Sequence, residues 1–388
     1  MRIAQIAPLH ESVPPKLYGG TERIVSYLTE ELVRQGHEVT LFASGDSQTS
    51  AKLVGCCNTA LRLNPLVMDA VPYHVIMLEE LRQRRDKFDI MHFHIDFLHA
   101  PLVRDLAHWT LTTLHGRLDL PDLPAFYRVF SELPLVSISS DQRGYLPDAN
   151  WIGTVPHGIP ADLLPFRPNP TGRYLAFLGR ISPEKRPDRA IEIARRTGLP
   201  LKIAAKVDRA DETYWKEEIG PMIHAQPNVE FVGEINERDK ARFLGEAAAL
   251  LFPVDWPEPF GLVMIEAMAC GTPVIGFGRG SIPEVLEDGA SGFIVDTLEE
   301  AVLAVRRIAS LDRATVRREF ERRFTAERMA GHYLEIYDKL INAGAEPAEV
   351  GKLNGKLMPR PLVDTIVAER PETSVGSARR GLDERSVP

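Results

Sequence analysis

At 388 residues the chain is too long for one compact core, and its length points to two or three domains. Hydrophobic residues make up 44% and charged residues 26%, an ordinary globular composition, and a net charge of -8 excludes the strongly basic surface that nucleic acid selects. Only three cysteines occur, the adjacent Cys56 and Cys57 and the distant Cys270, so neither a disulfide framework nor a C-x-x-C site is present and a reduced, cytoplasmic setting fits.

In chain order, "RIAQIAP" (2–8) reads as an apolar strand. A loop closes on Gly19-Gly20 and opens the helix "TERIVSYLTEELVRQGHE", with Ile24, Leu28 and Leu32 on one face and a stop at Gly36. "EVTLFAS", "FDIMHFH" and "TLTTLHG" are further strands. Between the first and second of these, "LRQRRDKF" (81–88) is a basic helical patch, read as a solvated face with a peripheral membrane-surface contact as its alternative. The Pro-rich "PFRPNPTG" (165–172) is a linker, after which a second series begins. It runs through the strand "YLAFLGR", the helix "RPDRAIEIARRTG", the strand "LKIAAKV", the segment "VEFVG", the helix "RDKARFLGEA" and the strand "ALLFPV". A long amphipathic pattern follows from about Leu311 to Ile341. Two consecutive βα series imply two doubly wound α/β domains with a cleft between them, and ligands there sit outside the carboxyl ends of the strands. No run of about 18 apolar residues is present to span a bilayer, and "MRIAQIAPLH" lacks the apolar core of a signal peptide.

The stretch "PEPFGLVMIEAMACGTPVIGF" (257–277) carries two carboxylates, Glu258 and Glu266, among apolar and small residues. A buried carboxylate costs several kcal/mol unless something pairs with it. "GLVMIEAMACG" has helical composition, which puts Glu258 in the strand-to-helix loop and Glu266 about two turns into the helix. The helix start near Phe260, Gly261, Leu262 and Val263 offers unpaired N–H groups and the positive end of the dipole, a ready anion site. Sugar hydroxyls beside such an anion would suit the two acceptors. On the residues alone, a solvated loop glutamate and a surface helix glutamate fit equally well.

The remaining candidates are weaker taken singly. Arg180 and Lys185, in "FLGRISPEKRPDRAI", are two cations at a strand end, and composition alone favours solvent-exposed loop residues. Gly19 and Gly20 let backbone approach a phosphate or sugar, though a flexible glycine turn reads as well. The G-x-G-x-x-G that a dinucleotide-dependent oxidoreductase needs directly after the strand is absent. His115 ends the strand "TTLHG", where a lone histidine is more often structural. "HFHID" (His92 to Asp96) reads as a strand end with acceptor contacts and is weak as a metal site, and His157 reads as structural near the hinge. Without a D-x-D string or a metal cluster, no metal is expected.

Taken whole, "PEPFGLVMIEAMACGTPVI" resembles the E-x7-E signature of the retaining glycosyltransferases of family 4. That resemblance, over about residues 1–342, implies the GT-B fold of two Rossmann-like domains facing across a cleft. It implies that Glu258 contacts the hydroxyls of the transferred sugar and Glu266 the ribose hydroxyls of the nucleotide. Backbone at Phe260, Gly261, Leu262 and Val263 would hold sugar and phosphate. "GR…EK" matches the family's phosphate-binding arginine and lysine, here Arg180 and Lys185. The family commonly carries glycine after that lysine, whereas this chain has Arg186 and then Pro187. The "GGxE" element would face the donor diphosphate, and His115 would lie beside the transferred sugar and steady developing positive charge.

The implied reaction moves a hexosyl unit from a nucleotide-diphosphate sugar to an acceptor hydroxyl with retention of anomeric configuration. Arg180, Lys185 and the helix dipole stand in for a metal, and there is no cofactor beyond the co-substrate. The acceptor is a sugar, lipid or small molecule, no nucleic acid is involved, and the enzyme is cytoplasmic or membrane-peripheral. A nucleotide-sugar epimerase and a non-catalytic sugar-nucleotide-binding protein are the alternatives. The expected division is an acceptor-side domain over 1–165, a nucleotide-sugar domain over 166–325, a helix over 326–342 crossing back to the first domain, and a disordered tail over 343–388.

Overall fold

Strands that stay apolar along their length, without alternation, are covered on both faces, and residues 3–6, 39–43 and Ala249–Phe252 are buried throughout. In the computed structural model, which describes residues 1–16 and 19–345, such strands assemble into two sheets with parallel pairing throughout. The first holds β1 (Arg2–Ile6), β2 (Glu38–Ala43), β3 (Lys52–Gly55), β4 (Ile90–Phe93), β5 (Thr110–Thr113), β6 (Leu135–Ser137) and β7 (Trp151–Thr154), in the order β3-β2-β1-β4-β5-β6-β7. The second holds β8 (Leu175–Arg180), β9 (Leu201–Lys206), β10 (Val229–Gly233), β11 (Ala249–Phe252), β12 (Val274–Phe277) and β13 (Gly292–Val295), in the order β10-β9-β8-β11-β12-β13. Strand order reverses at β1/β4 and again at β8/β11. These are the two switch points outside which ligands bind in doubly wound sheets.

The helices of eight residues or more among the described residues are α1 (Gly20–Arg34), α2 (Val71–Arg82), α3 (Pro187–Thr197), α4 (Glu237–Gly245), α5 (Leu262–Ala269), α6 (Leu298–Arg307), α7 (Arg313–Arg323) and α8 (Ala326–Ala345). The amphipathic pattern from Leu311 to Ile341 is therefore two helices. They part at Phe324 and Thr325, where Thr325 pairs with Ile159 in an isolated parallel bridge. Each helix serves a different core. Val316 and Phe320 of α7 pack with Met264, Ile265 and Met268 of α5 beside the second sheet. Met329, Tyr333 and Tyr337 of α8 pack with Ile3 of β1, Ile24 and Leu28 of α1, and Leu111 of β5.

The basic patch lies at the end of α2 and in the turn after it. Its charge is largely cancelled locally, because Arg82 pairs with Glu79 and Arg84 with Glu80. No helix among the described residues is long and apolar enough to cross a membrane. The tail assigned to disorder lies, beyond residue 345, outside the described residues.

Candidate active site

The carboxyl ends of both sheets border one cavity of about 510 Å³. From the first half come Gly19 and Gly20, which lead into α1, and His115, which follows β5. From the second come Arg180 at the last position of β8, Lys185 in the turn after it, and the β11–α5 segment with Glu258, Phe260, Gly261, Leu262, Val263 and Glu266. The structure thus brings the residues assigned to donor binding and His115 to one place, while the "HFHID" segment does not line the cavity.

Both acids are buried, Glu258 at 7% exposure and Glu266 at 4%, and each is met by a lysine. The ammonium of Lys185 contacts Glu258 Oε2, which also accepts a 2.9 Å hydrogen bond from the indole N–H of Trp256. Lys240 Nζ, from α4, donates to Glu266 Oε1 at 2.7 Å and to Glu237 at 3.3 Å. In a site without ligand these lysines supply the countercharge that burial of the acids demands. Lys185 also lies over the ring of Trp256, 4.7 Å from its centroid, and Arg117 reaches toward the same ring from the first half at 5.5 Å. Arg180 pairs with Glu184 and sits 3.7 and 3.8 Å from Asp208 and Asp211. Arg23 of α1 pairs across the cavity with Glu237.

Backbone conformation sets the aim of the acids. Gly261 caps α5 with φ 77°, and a Cβ there would stand 2.7 Å from Met264 Cε and 3.1 Å from the Phe252 ring. Because that left-handed residue delays the helix, α5 begins at Leu262. Glu266 then falls just past the first turn, not two turns in as composition suggested. No side chain caps this helix end, so its first N–H groups remain available beside the cavity. Gly280, at φ 58°, lies against the loop carrying Glu258; a Cβ would stand 2.4 Å from Glu258 N and 2.5 Å from its carbonyl oxygen. Next to Gly280, the Ser281 N–H donates to that same carbonyl at 2.9 Å.

The departure at Arg186 also has a physical account. Arg186 adopts φ 52°, ψ 52°, the left-handed conformation that glycine takes without strain, and Pro187 then starts α3. Ion pairs to Asp188 at 2.7 Å and Asp255 at 2.9 Å hold the arginine in that conformation.

Histidines behave differently from the sequence reading. His92 and His94 are 0% and 2% exposed and lie beneath the cavity, so neither makes the acceptor contacts assigned to the strand end. The reason is register: both side chains point into the polar seam between the first sheet and α8, where His92 Nδ1 meets Tyr337 OH at 2.7 Å. His157, read as a hinge residue, instead lines the cavity and stacks on His115 with ring centroids 5.1 Å apart. Burial pushes the His115 imidazole down to about 3 and those of His92, His94 and His157 well below the usual range, so the rings are neutral.

Trp256, Lys240, Arg23 and Arg117 were not singled out from sequence. Trp256 had a signal, an aromatic set between acid and proline directly before Glu258. Lys240 had none, since "ERDKAR" reads like any solvated helix face.

Residues 165–324 match the family model of glycosyl transferases group 1, and residues 18–151 match that of glycosyltransferase family 4. Over 390 residues the chain is 25% identical to phosphatidyl-myo-inositol mannosyltransferase of Mycobacterium leprae (strain TN), covering 89% of this chain and 99% of that protein. It is 30% identical over 179 residues to D-inositol 3-phosphate glycosyltransferase of Mycolicibacterium smegmatis (strain ATCC 700084 / mc(2)155), covering 43% of this chain and 37% of the relative. The fold is similar to that of AviGT4, a glycosyltransferase involved in avilamycin A biosynthesis, with TM-score 0.69 and 24% identity over 89% of this chain and 98% of that one. Anabaena Alr3699/HepE in complex with UDP and glucose matches with TM-score 0.68 and 16% identity over 87% of this chain and 100% of that one. With its two matched models, its E-x7-E string and its facing doubly wound sheets, the chain belongs to glycosyltransferase family 4, has the GT-B fold and is a glycosyltransferase.

Proposed function

We propose that the protein transfers a hexosyl unit from a nucleotide-diphosphate sugar to an acceptor hydroxyl, with retention at the anomeric carbon. The observation that carries this reading is the pairing of Lys185 with Glu258 beside an uncapped helix start, with Arg180 and Glu266 on the same cavity. A donor can exchange both partners at once. Its diphosphate takes the ammonium of Lys185, its sugar hydroxyls take the carboxylate of Glu258, and its ribose hydroxyls take Glu266 from Lys240. The relative Alr3699/HepE, captured with UDP and glucose, supports a nucleotide-sugar donor.

In this reading the protein's main contribution is electrostatic. Arg180, Lys185 and the N–H groups at Leu262 and Val263 stabilise charge as it gathers on the departing diphosphate. The acceptor attacks on the face the diphosphate leaves, and a donor phosphate oxygen takes its proton. We assign no covalent nucleophile, metal or resident cofactor. The acceptor is a hydroxyl of a sugar, lipid or small molecule; the names of two relatives carry inositol compounds. Three free cysteines favour the reduced cytoplasmic setting.

Thermal unfolding with UDP, GDP and ADP tests the donor site. A nucleotide at about 100 times its Kd adds roughly 2.7 kcal/mol of stability. No stabilisation by any of the three would refute it. An epimerase would instead consume donor without acceptor and yield an isomeric nucleotide sugar.

A further inference from the structure

A buried chain of hydrogen bonds runs beneath the cavity from α8 to His115. Tyr333 OH meets Thr113 Oγ1 at 2.9 Å, Thr113 Oγ1 meets His92 Nε2 at 2.8 Å, and His92 Nδ1 meets Tyr337 OH at 2.7 Å. Gln5 Nε2 donates to Tyr337 OH at 3.1 Å, and Gln5 Oε1 lies 2.8 Å from His94 Nε2. His94 Nδ1 then meets His115 Nε2 at 2.8 Å, and His115 Nδ1 faces His157 Nε2 at 3.4 Å. Gln5 is the turning point of this chain and is 0% exposed.

A neutral imidazole has one donor and one acceptor, so a single assignment propagates through all the rings. The Gln5 carbonyl can only accept. His94 therefore carries its proton on Nε2 and accepts at Nδ1. That makes His115 donate from Nε2 and leaves a lone pair on its Nδ1. On the other branch, the Gln5 amide occupies the Tyr337 oxygen, Tyr337 donates to His92 Nδ1, and His92 Nε2 donates to Thr113. Turning the Gln5 amide over would reverse each of these bonds. His157 would then have to carry a proton on Nδ1, an atom that is buried without a hydrogen-bond partner. A buried orphan N–H is rarer and costlier than an under-used lone pair, which selects the first arrangement.

We propose that Gln5, gripped by Tyr337 of α8, is a positioning residue that holds His115 as the Nε2–H tautomer and so presents a ring lone pair at the cavity. The tautomer follows from the hydrogen bonds alone. Its use rests on the donor-site reading: the long contact to His157 is one that a sugar hydroxyl can displace, giving its hydrogen to His115 Nδ1. The terminal helix thereby takes part in the site without touching the ligand.

The test is a two-bond 1H–15N spectrum of the imidazoles in the full chain, with His115 assigned by substitution. The expected wild-type pattern is a protonated Nε2 and a bare Nδ1 on His115. In Gln5→Met, which keeps side-chain volume but neither donates nor accepts strongly, the two tautomers approach roughly equal populations. Tyr337→Phe, which frees the amide to rotate, shows a smaller shift in the same direction. A wild-type proton on His115 Nδ1, or an unchanged His115 pattern in Gln5→Met, overturns the proposal. Should Gln5→Met not fold, the wild-type spectrum decides the polarity and Tyr337→Phe decides the grip. These spectra need no ligand, so a failure of UDP to bind in calorimetry counts against the donor site alone.

Discussion

Lys185 holds two partners at once, the carboxylate of Glu258 and the face of Trp256, and both lie on the cavity wall. A diphosphate arriving there finds a cation already desolvated and oriented, so little reorganisation remains at the moment of transfer. Lys185→Ala, and separately Arg180→Ala, should therefore lower kcat by roughly 10²-fold or more, by analogy with loss of one preorganised donor. Steady-state turnover of the nucleotide sugar that stabilises the protein is the measurement. Wild-type rates in both variants would remove the electrostatic mechanism. Lys240 makes a sharper stability case. Lys240→Met leaves Glu266 buried without its cation and should cost about 3 kcal/mol in chemical denaturation. A change below about 0.5 kcal/mol would mean that Glu266 needs no such partner. At this scale the sequence disclosed the acids, because charge inside an apolar string is conspicuous. It did not disclose Lys240 or Arg23, because surface-like helix composition hides a side chain that turns inward.

At the scale of elements, the site is aimed by two left-handed glycines. Gly261 fixes where α5 begins, and Gly280 lets the loop that joins β12 to the short turn at Ile282–Val285 lie directly on the backbone of Glu258. Gly280→Ala combines positive-φ strain with contact at 2.4 Å and should cost about 2–3 kcal/mol while displacing Glu258. The checks are the denaturation midpoint and donor KM and kcat in the same preparation. A variant with native stability and turnover would show that the loop yields freely. Helical and strand periodicity located most elements that carry the site. β3, β6, β7 and β13 escaped notice because three or four residues hold little pattern, and β12 because it lies inside the signature string. The single amphipathic run near the end hid a break at Thr325, which only the bridge to Ile159 explains.

For the whole molecule, the alternating βα series was enough to read two doubly wound sheets and a cleft, since long buried strands and crossover helices admit few other arrangements. How the first half keeps its histidines neutral was not legible. His92, His94, His99 and His157 are buried and His115 is half-buried, and burial pushes all five imidazoles down, His99 and His115 to about 3. Their folded values lie below the ordinary 6.5, so in the range between, the unfolded chain binds more protons than the folded one. Stability is therefore full above about 6.5 and falls as pH drops toward 3. At pH 5 the His99 ring, held near 3 by burial, gives up about 2 kcal/mol. Denaturation at pH 7.5 and pH 5 should show a loss of several kcal/mol, and a flat profile would mean that the rings protonate in place.

The placement of α8 bears on how the protein is made. Thr154 ends the first sheet, yet the helix that covers one of its faces begins only at Ala326, after the whole second sheet has been synthesised. At roughly 5–20 residues per second, a ribosome needs on the order of ten to thirty seconds to bridge that gap. Throughout it Ile3, Ile24 and Leu111 lack the tyrosines that will bury them. The nascent first half therefore keeps that apolar face open until α8, the last helix among the described residues, has been made.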